Sequence, residues 1–495
     1  MSYQGKLLKN TAIIALGKIS TQILSYILLP LYTAKMVTEE YGSYDFICTL
    51  SVFLCPIITL LIEECMFRFL IDADTDGKRK SIVTQTVIYT AIGTLVFIPI
   101  SFLVMNLATN WEWNMQLMFT TFVVSNIMIT LTTSLARGLS KIKLYSISSF
   151  ILGIVTIIAQ IIILLITPTA FGMLLANTIA NIVVALFIAW RLKFRKLLGK
   201  FNKKMMKGMI KYSFPLVPNN ISWLIINMSD RLLLTSMVSS AANGIYAIAA
   251  KFPNIITVFY SYFSLAWKEQ AAKIVKDKDL NKHYNGIYHD TKRVMYSIML
   301  LLIAVMPIAF PILINAQYSE AFMYMPMIMV ATYFMDLSRF YGGIFEAYKN
   351  TKIMGTTTFA AAIINLIIDL ALLKFIGIWA ACISTLVADF AIYIYRKYKI
   401  KEYVKLRELN MIPAYIVLLI ILGAYYLKFI PNFNMVVYYI INGITLLFAI
   451  IYAISINKKL INGIVAKIKS KFKRKSKAEV EVEESTTENT EENNK

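Results

Sequence analysis

Charge is scarce in this chain. Only 16% of its 495 residues are Asp, Glu, Lys or Arg, against about 25% in a soluble globular domain. That excludes an ordinary soluble enzyme, because 58% of the residues are hydrophobic and they lie in long blocks. Histidine is scarcer still. His283 and His289 sit in one hydrophilic stretch, so no histidine-based metal centre or catalytic triad is expected. The four cysteines, Cys48, Cys55, Cys65 and Cys382, fall inside or at the ends of apolar blocks. Their spacing fits neither a metal site nor a disulfide framework. No glycine-rich loop precedes Gly17-Lys18, so no phosphate-binding loop forms there. Nucleotide-binding, zinc-helix and nucleophile-elbow signatures are missing too. The sequence therefore predicts no catalytic residue, metal or cofactor, and any transport is driven by a gradient or by substrate flux.

What is present is apolar sequence in spans of about twenty residues, the length that crosses a bilayer as a helix. Lipid leaves a sheet edge unsatisfied, and these blocks lack the alternation of barrel strands. The predicted fold class is all-α, a polytopic membrane protein. Fourteen spans are expected: 11–32, 43–66, 82–107, 114–136, 144–166, 170–190, 212–238, 245–267, 294–314, 322–346, 356–373, 377–395, 410–427 and 435–456.

Basic residues test that count. With the N-terminus in the cytoplasm, 43 of the 50 Lys and Arg fall in the segments that alternate on the inner side. Lys35, Lys374 and Lys428 are the outer ones, and Lys18, Arg231, Lys251 and Arg339 lie within spans. The positive-inside rule gives this bias only when span number and orientation are right. The net charge of +22 thus reports topology, and no nucleic-acid partner is implied. Residues 191–211, basic with interleaved apolar positions, read as an interfacial helix on anionic membrane lipid. Residues 457–477 repeat that character, and the acidic stretch after Ala478 reads as a disordered tail.

An internal repeat emerges. Met36-Val37 and Gly42-Ser43-Tyr44 match Met237-Val238 and Gly244-Ile245-Tyr246. Ser149-Phe150 and Gly172 match Thr358-Phe359 and Gly377. Six spans thus occur twice in parallel, an arrangement of transporters that bind substrate between their halves. The expected organisation is an N-terminal lobe 1–190, a basic linker 191–211, a C-terminal lobe 212–400, two further spans in 401–456, and a cytoplasmic tail 457–495.

Ionised groups at membrane depth are expensive and mark function by default. Glu64 and Arg68 are four apart, and Asp336 and Arg339 three apart, so each couple reads as an ion pair on one helix face. Asp369 and Asp389 lie in spans eleven and twelve. Lys18 and Asp45 sit near span ends, where they can snorkel. Arg231 and Lys251 have no opposite partner on their own face. An unpaired buried cation asks for an anion or for water, and Arg grips phosphate with two bonds. Prolines 215, 218, 253, 307, 311 and 326 mark helices able to kink.

Phe214-Pro215-Leu216, Pro218-Asn219-Asn220, Asp230-Arg231, Gly244-Ile245-Tyr246 and Lys251 resemble the seventh and eighth spans of bacterial Wzx-type polysaccharide flippases. These belong to the multidrug/oligosaccharidyl-lipid/polysaccharide exporter superfamily. Asn10-Thr11, Gly42-Ser43-Tyr44 and Glu64 to Arg68-Phe69 resemble that family's first two spans, and Asn365 with Gly377-Ile378-Trp379-Ala380-Ala381 its eleventh and twelfth. The likeness covers about residues 5–400. It implies that an oligosaccharide linked by diphosphate to undecaprenol is moved across the bacterial cytoplasmic membrane for O-antigen, capsule or exopolysaccharide. Polysaccharide polymerase and other assembly proteins would be partners. Arg231 and Lys251 become candidate phosphate or glycan contacts, followed by Arg339, Arg68 and Asn220; Asp336, Glu64 and Asp369 become candidate ion-coupling carboxylates. Multidrug exporters of this fold usually carry an acidic residue deep in the first span, and lipid II flippases several arginines in the first two; this chain has neither. A membrane-embedded polymerase would need a large outer loop with clustered Arg or His, which no outer loop here is long enough to supply.

Overall fold

The structure is a computed structural model that describes residues 26–275 and 277–463. Most of the first expected span, with Lys18, lies outside the described residues, as does the tail from 464 onward. Every regular element among the described residues is helical, the outcome that lipid imposes on backbone polar groups.

The first group comprises α1 (Leu29–Lys35), α2 (Thr38–Thr59), α3 (Ile62–Ile71), α4 (Asp76–Ala108), α5 (Trp113–Gly138), α6 (Ile142–Ile166) and α7 (Ala170–Arg191). A connector carries α8 (Lys203–Ser213). The second group comprises α9 (Leu216–Met237), α10 (Ser240–Ile274), α11 (Leu280–Leu313), α12 (Ala321–Ala347), α13 (Thr351–Ile376) and α14 (Ile378–Lys399). Two helices follow, α15 (Ile412–Tyr426) and α16 (Met435–Ile456). Eleven helices among the described residues are long and apolar enough to cross a membrane. They coincide with the expected spans two to six and nine to fourteen, and α9 and α10 occupy the expected seventh and eighth.

Local chemistry sets many of the helix starts. Thr75, Thr169, Ser239 and Asn434 each accept a backbone N–H of the first turn of α4, α7, α10 and α16, replacing intrahelical partners those groups lack. Burial sorts the helices into core and rim. In α12, 67% of the most apolar window is buried inside the protein, against 11% in α6. So α12 is the axis of the second bundle and α6 faces lipid. With 33 to 35 residues, α4, α10 and α11 run about 50 Å, well past the ~30 Å hydrocarbon core.

Three expectations are corrected. The second span is not one helix: Leu60 and Leu61 both adopt the left-handed conformation, φ 48° and 54°, and split it into α2 and α3. The connector is not a single interfacial helix. Its middle runs extended along α4, where Thr84 Oγ1 accepts the Gly199 N–H at 2.7 Å and Gln85 donates to the Lys200 carbonyl at 3.3 Å. Only α8 is helical in the expected amphipathic sense, with Met209 buried against α3 and the neighbouring lysines exposed. Finally, α14 continues beyond 395, which draws Arg396 out of the loop assigned to it and into the protein interior.

Within each group the helices pack on one another, α5 and α7 centrally in the first, α12 and α14 in the second. The two groups meet chiefly through α2, which packs on α9 and α10. The α15–α16 pair packs against α11.

Candidate functional site

The junction of the groups is built on the repeated turn. Gly42 on α2 and Gly244 on α10 cross at backbone contact. A Cβ on Gly42 would stand 1.7 Å from the Ser240 carbonyl oxygen, and one on Gly244 would stand 2.1 Å from that of Thr38. Only glycine permits this approach. Asn243, fully buried, donates to the Gly42 carbonyl at 2.9 Å. Beside it Gln317 donates to the Met36 carbonyl at 2.8 Å, and Tyr318 to the same oxygen at 2.9 Å. The seam is closed at the end of the molecule that carries the α1–α2 and α9–α10 turns.

One turn deeper lies the charge. Arg231 Nη1 donates to Asp45 Oδ1 at 2.8 Å, joining α9 to α2 across the junction. This corrects two expectations. Asp45 is buried rather than snorkelling, and Arg231 has its carboxylate on the other half of the chain. Lys251 is half-buried beside them, with Asp45, Arg231 and Cys48 as its electrostatic neighbours. No carboxylate among the described residues lies within ion-pairing distance of it, and its backbone carbonyl accepts from Tyr26 at 2.9 Å. Among the described residues the junction therefore holds two cations and one ion-paired carboxylate.

A second cluster lies inside the second group. Asp230 Oδ2 accepts from Tyr246 at 2.8 Å and from Thr385 at 2.7 Å. Asp369, fully buried on α13, faces Asp230. Both Asp369 oxygens and Asp230 Oδ1 find no donor among the described residues. Asn365 and Ser384 close the cluster with a 3.1 Å hydrogen bond. Like-charged carboxylates that face one another repel unless a proton or a cation comes between them. The repeat gives this cluster a neutral counterpart in the first group. There Asn177 donates to Tyr44 at 2.8 Å and Gln160 donates to Asn177 at 2.9 Å. By the offsets of the repeat, Tyr44 corresponds to Tyr246 and Gln160 to Asp369.

The remaining candidates disperse. Asp336 and Arg339 pair at 3.0 Å on α12. Asp336 is fully buried, with its second oxygen unpartnered among the described residues. Near them Arg396, buried, donates to Thr357, Thr358 and the carbonyls of Ser338 and Met354. Asn220 is half-buried on α9, its Oδ1 without a donor among the described residues. Glu64 and Arg68 do not pair. Both are exposed, and Arg68 binds Asp72 at 2.7 Å. The break at Leu60–Leu61 restarts the helix phase, so Glu63 turns inward instead. It is 6% exposed, and its Oε2 has no partner among the described residues. Sequence reasoning thus missed Asp45, Asp230, Glu63 and Arg396 as interior charges. For Asp45 a signal existed, since it directly follows the repeated Gly42-Ser43-Tyr44.

Comparison with known proteins adds the following. Residues 7–267, more than half of the chain, match the family model described as polysaccharide biosynthesis protein. No curated protein sequence matches the chain significantly. Among solved structures, the lipid II flippase MurJ in an inward closed conformation superposes with a TM-score of 0.66 at 14% identity, covering 91% of this chain and 100% of that one. An inward-facing multidrug resistance MATE family transporter of the MOP superfamily gives 0.59 at 11% identity, with 78% and 98% covered. A point mutant of the MATE transporter VcmN of Vibrio cholerae gives 0.53 at 11%, with 80% and 97% covered. At these identities the likeness is one of fold.

Proposed function

Because the chain belongs to the polysaccharide biosynthesis protein family and has the fold of MOP-superfamily transporters, we propose that it is a flippase for lipid-linked oligosaccharide. It carries a repeat unit on undecaprenyl diphosphate from the inner to the outer leaflet of the bacterial cytoplasmic membrane, with both chain termini in the cytoplasm. The cargo is a precursor of O-antigen, capsule or exopolysaccharide. No bond is made or broken, so the protein acts as a transporter and not as an enzyme. The segments 1–190 and 212–400 are the rocking lobes, 191–211 the linker, 401–456 an appendage and 457–495 a tail.

One observation carries the reading: Arg231 and Lys251 stand together at the lobe junction, where Asp45 pairs with Arg231 and Lys251 has no ion-pair partner among the described residues. A guanidinium that holds a carboxylate can hold a phosphate in the same plane with more charge to meet it. An arriving diphosphate competes with Asp45 for Arg231. Once Asp45 is released, the strongest ionic tie across the closed seam is gone, and the lobes can part on that side. Binding thereby favours the outward state by differential contact, as any ligand-driven change requires. Arg339, Arg68 and Asn220 are secondary contacts on the route of the glycan.

The coupling site is Asp369 together with Asp230. The acidic cluster lies in the second lobe, and its repeat counterpart holds the amides Gln160 and Asn177 instead. Asp336 is a further coupling carboxylate, and Glu63 takes the place assigned to its exposed neighbour Glu64. To test the reading, Arg231→Ala and Lys251→Ala are expressed in cells lacking the chain. Both proteins should reach the membrane yet leave lipid-linked oligosaccharide on the cytoplasmic face. Normal polymer export by both variants would falsify the site.

A further inference from the structure

Away from the junction, the middle of α11, the start of α15 and the end of α16 enclose a cleft of about 750 Å³. Arg293, Lys458 and Lys459 line it, and no acidic residue does. Among the described residues none of these three side chains makes an ion pair or a hydrogen bond, and Arg293 is half-buried between the helices. Asp290, one helical turn before Arg293, is exposed and makes no ion pair with it, and Glu408, next to Leu409, is already taken by Lys292 at 2.7 Å and Lys397 at 3.2 Å. The α15 helix begins at the same mouth, and its positive dipole end adds to the field. Below the cations the wall turns apolar, with Leu409, Pro413, Tyr452 and Ile456. The outer faces of the two helices continue that surface with exposed Ile412, Ile416, Leu447 and Ile451.

A cationic mouth over an apolar wall, at the level where one span starts and another ends, matches the two halves of a charged lipid. We propose that this cleft binds the phosphate headgroup of an anionic phospholipid, whose acyl chains run down between α15 and α16. A phospholipid suits it better than the cargo, because none of the cleft's lining residues belongs to the junction helices α2, α9 and α10. The α15–α16 pair makes its main helix contact with α11, so a lipid wedged there seats the appendage on the lobe.

The full chain is reconstituted in vesicles of phosphatidylcholine and phosphatidylglycerol at three to one, extracted gently, and its retained lipids are counted by native mass spectrometry. Phosphatidylglycerol should be enriched over phosphatidylcholine. The triple variant Arg293→Gln, Lys458→Gln, Lys459→Gln should bind phosphatidylglycerol on the order of tenfold to a hundredfold more weakly. Arg293→Lys, which keeps the charge, should retain most of the enrichment and guards against misfolding. Equal retention by wild type and triple variant overturns the site. Equal uptake of both lipids by the wild type does so too, since it leaves only a greasy surface. A third arm adds undecaprenyl diphosphate. If it displaces phosphatidylglycerol and binds at least as tightly, the cleft belongs to the cargo and the phospholipid assignment falls. Transport assays on the same variants keep the outcomes apart: loss of Arg231 function bears on the junction, loss of lipid enrichment on this cleft.

Discussion

Arg231 and Asp45 are 186 residues apart in the chain and 2.8 Å apart in space. Removing one partner of a buried pair costs about 3–5 kcal/mol, because the other charge stays behind. Asp45 is the more buried of the two, so Arg231→Ala should lower the unfolding midpoint in detergent more than Asp45→Asn does. The double variant should recover part of that loss. Independent, additive effects would show that the contact does not matter. For the acidic cluster, Asp369→Asn leaves the Tyr246 and Thr385 bonds to Asp230 intact but removes the second carboxyl group. Transport by this variant should lose its dependence on the coupling ion while cargo binding persists, as read by titrating vesicles with protons or sodium. Arg231, Lys251, Asp336 and Asp369 were legible in the sequence, since each interrupts an apolar span. Their partners were not, because a helix reports only its own face and the carboxylate for Arg231 came from the other half of the chain.

At the scale of elements, hydropathy located spans two to fourteen, although α11 begins at Leu280 rather than 294 and α2 ends at Thr59 rather than 66. It could not reveal the break in the second, because two leucines carry no mark of left-handed backbone. Such residues cost roughly 1–2 kcal/mol each, and here they are held by the packing of α2 and α3 on α4 and α5. Glu63 entered the interior through that shift of phase, which is why the sequence favoured Glu64. The glycine crossing offers a sharper test. Gly42→Ala and Gly244→Ala should each fold yet fail to close the seam. Cysteines placed near Thr38 and Ser240 should then crosslink poorly, whereas in the parent they crosslink readily. A third element, the loop between α14 and α15, is tied to α11 by Glu408, which meets Lys292, Lys397 and Tyr288. Partial burial pushes the Glu408 carboxyl upward, but Lys292 and then Lys397 outweigh it and hold it below the ordinary glutamate value. A depressed carboxylate stabilises the fold above its unfolded pKa, and that contribution fades as pH falls through the folded one. Acidification below about pH 4.5 should therefore loosen this loop, and Glu408→Gln should abolish that part of the pH dependence of thermal unfolding.

For the molecule as a whole, the parallel repeat was readable because its signposts are backbone requirements. A glycine at a crossing tolerates no substitute, so Gly42 and Gly244 persist in both copies while their apolar surroundings diverge. What the repeat concealed was its asymmetry: amides in one lobe, carboxylates in the other. Labelling of the two chain ends from either side of sealed cells should find both in the cytoplasm, and opposite sides would dismantle the two-lobe reading. The closed seam has one more consequence. Its hydrogen bonds among Gln317, Tyr318, Asn243 and the carbonyls of Met36 and Gly42 involve no part of any passenger. In the transport cycle proposed above, each crossing must nevertheless undo and restore them. If that step is the slow one, exchanging one glycan for another will alter how readily cargo is captured, yet the maximal turnover will stay the same.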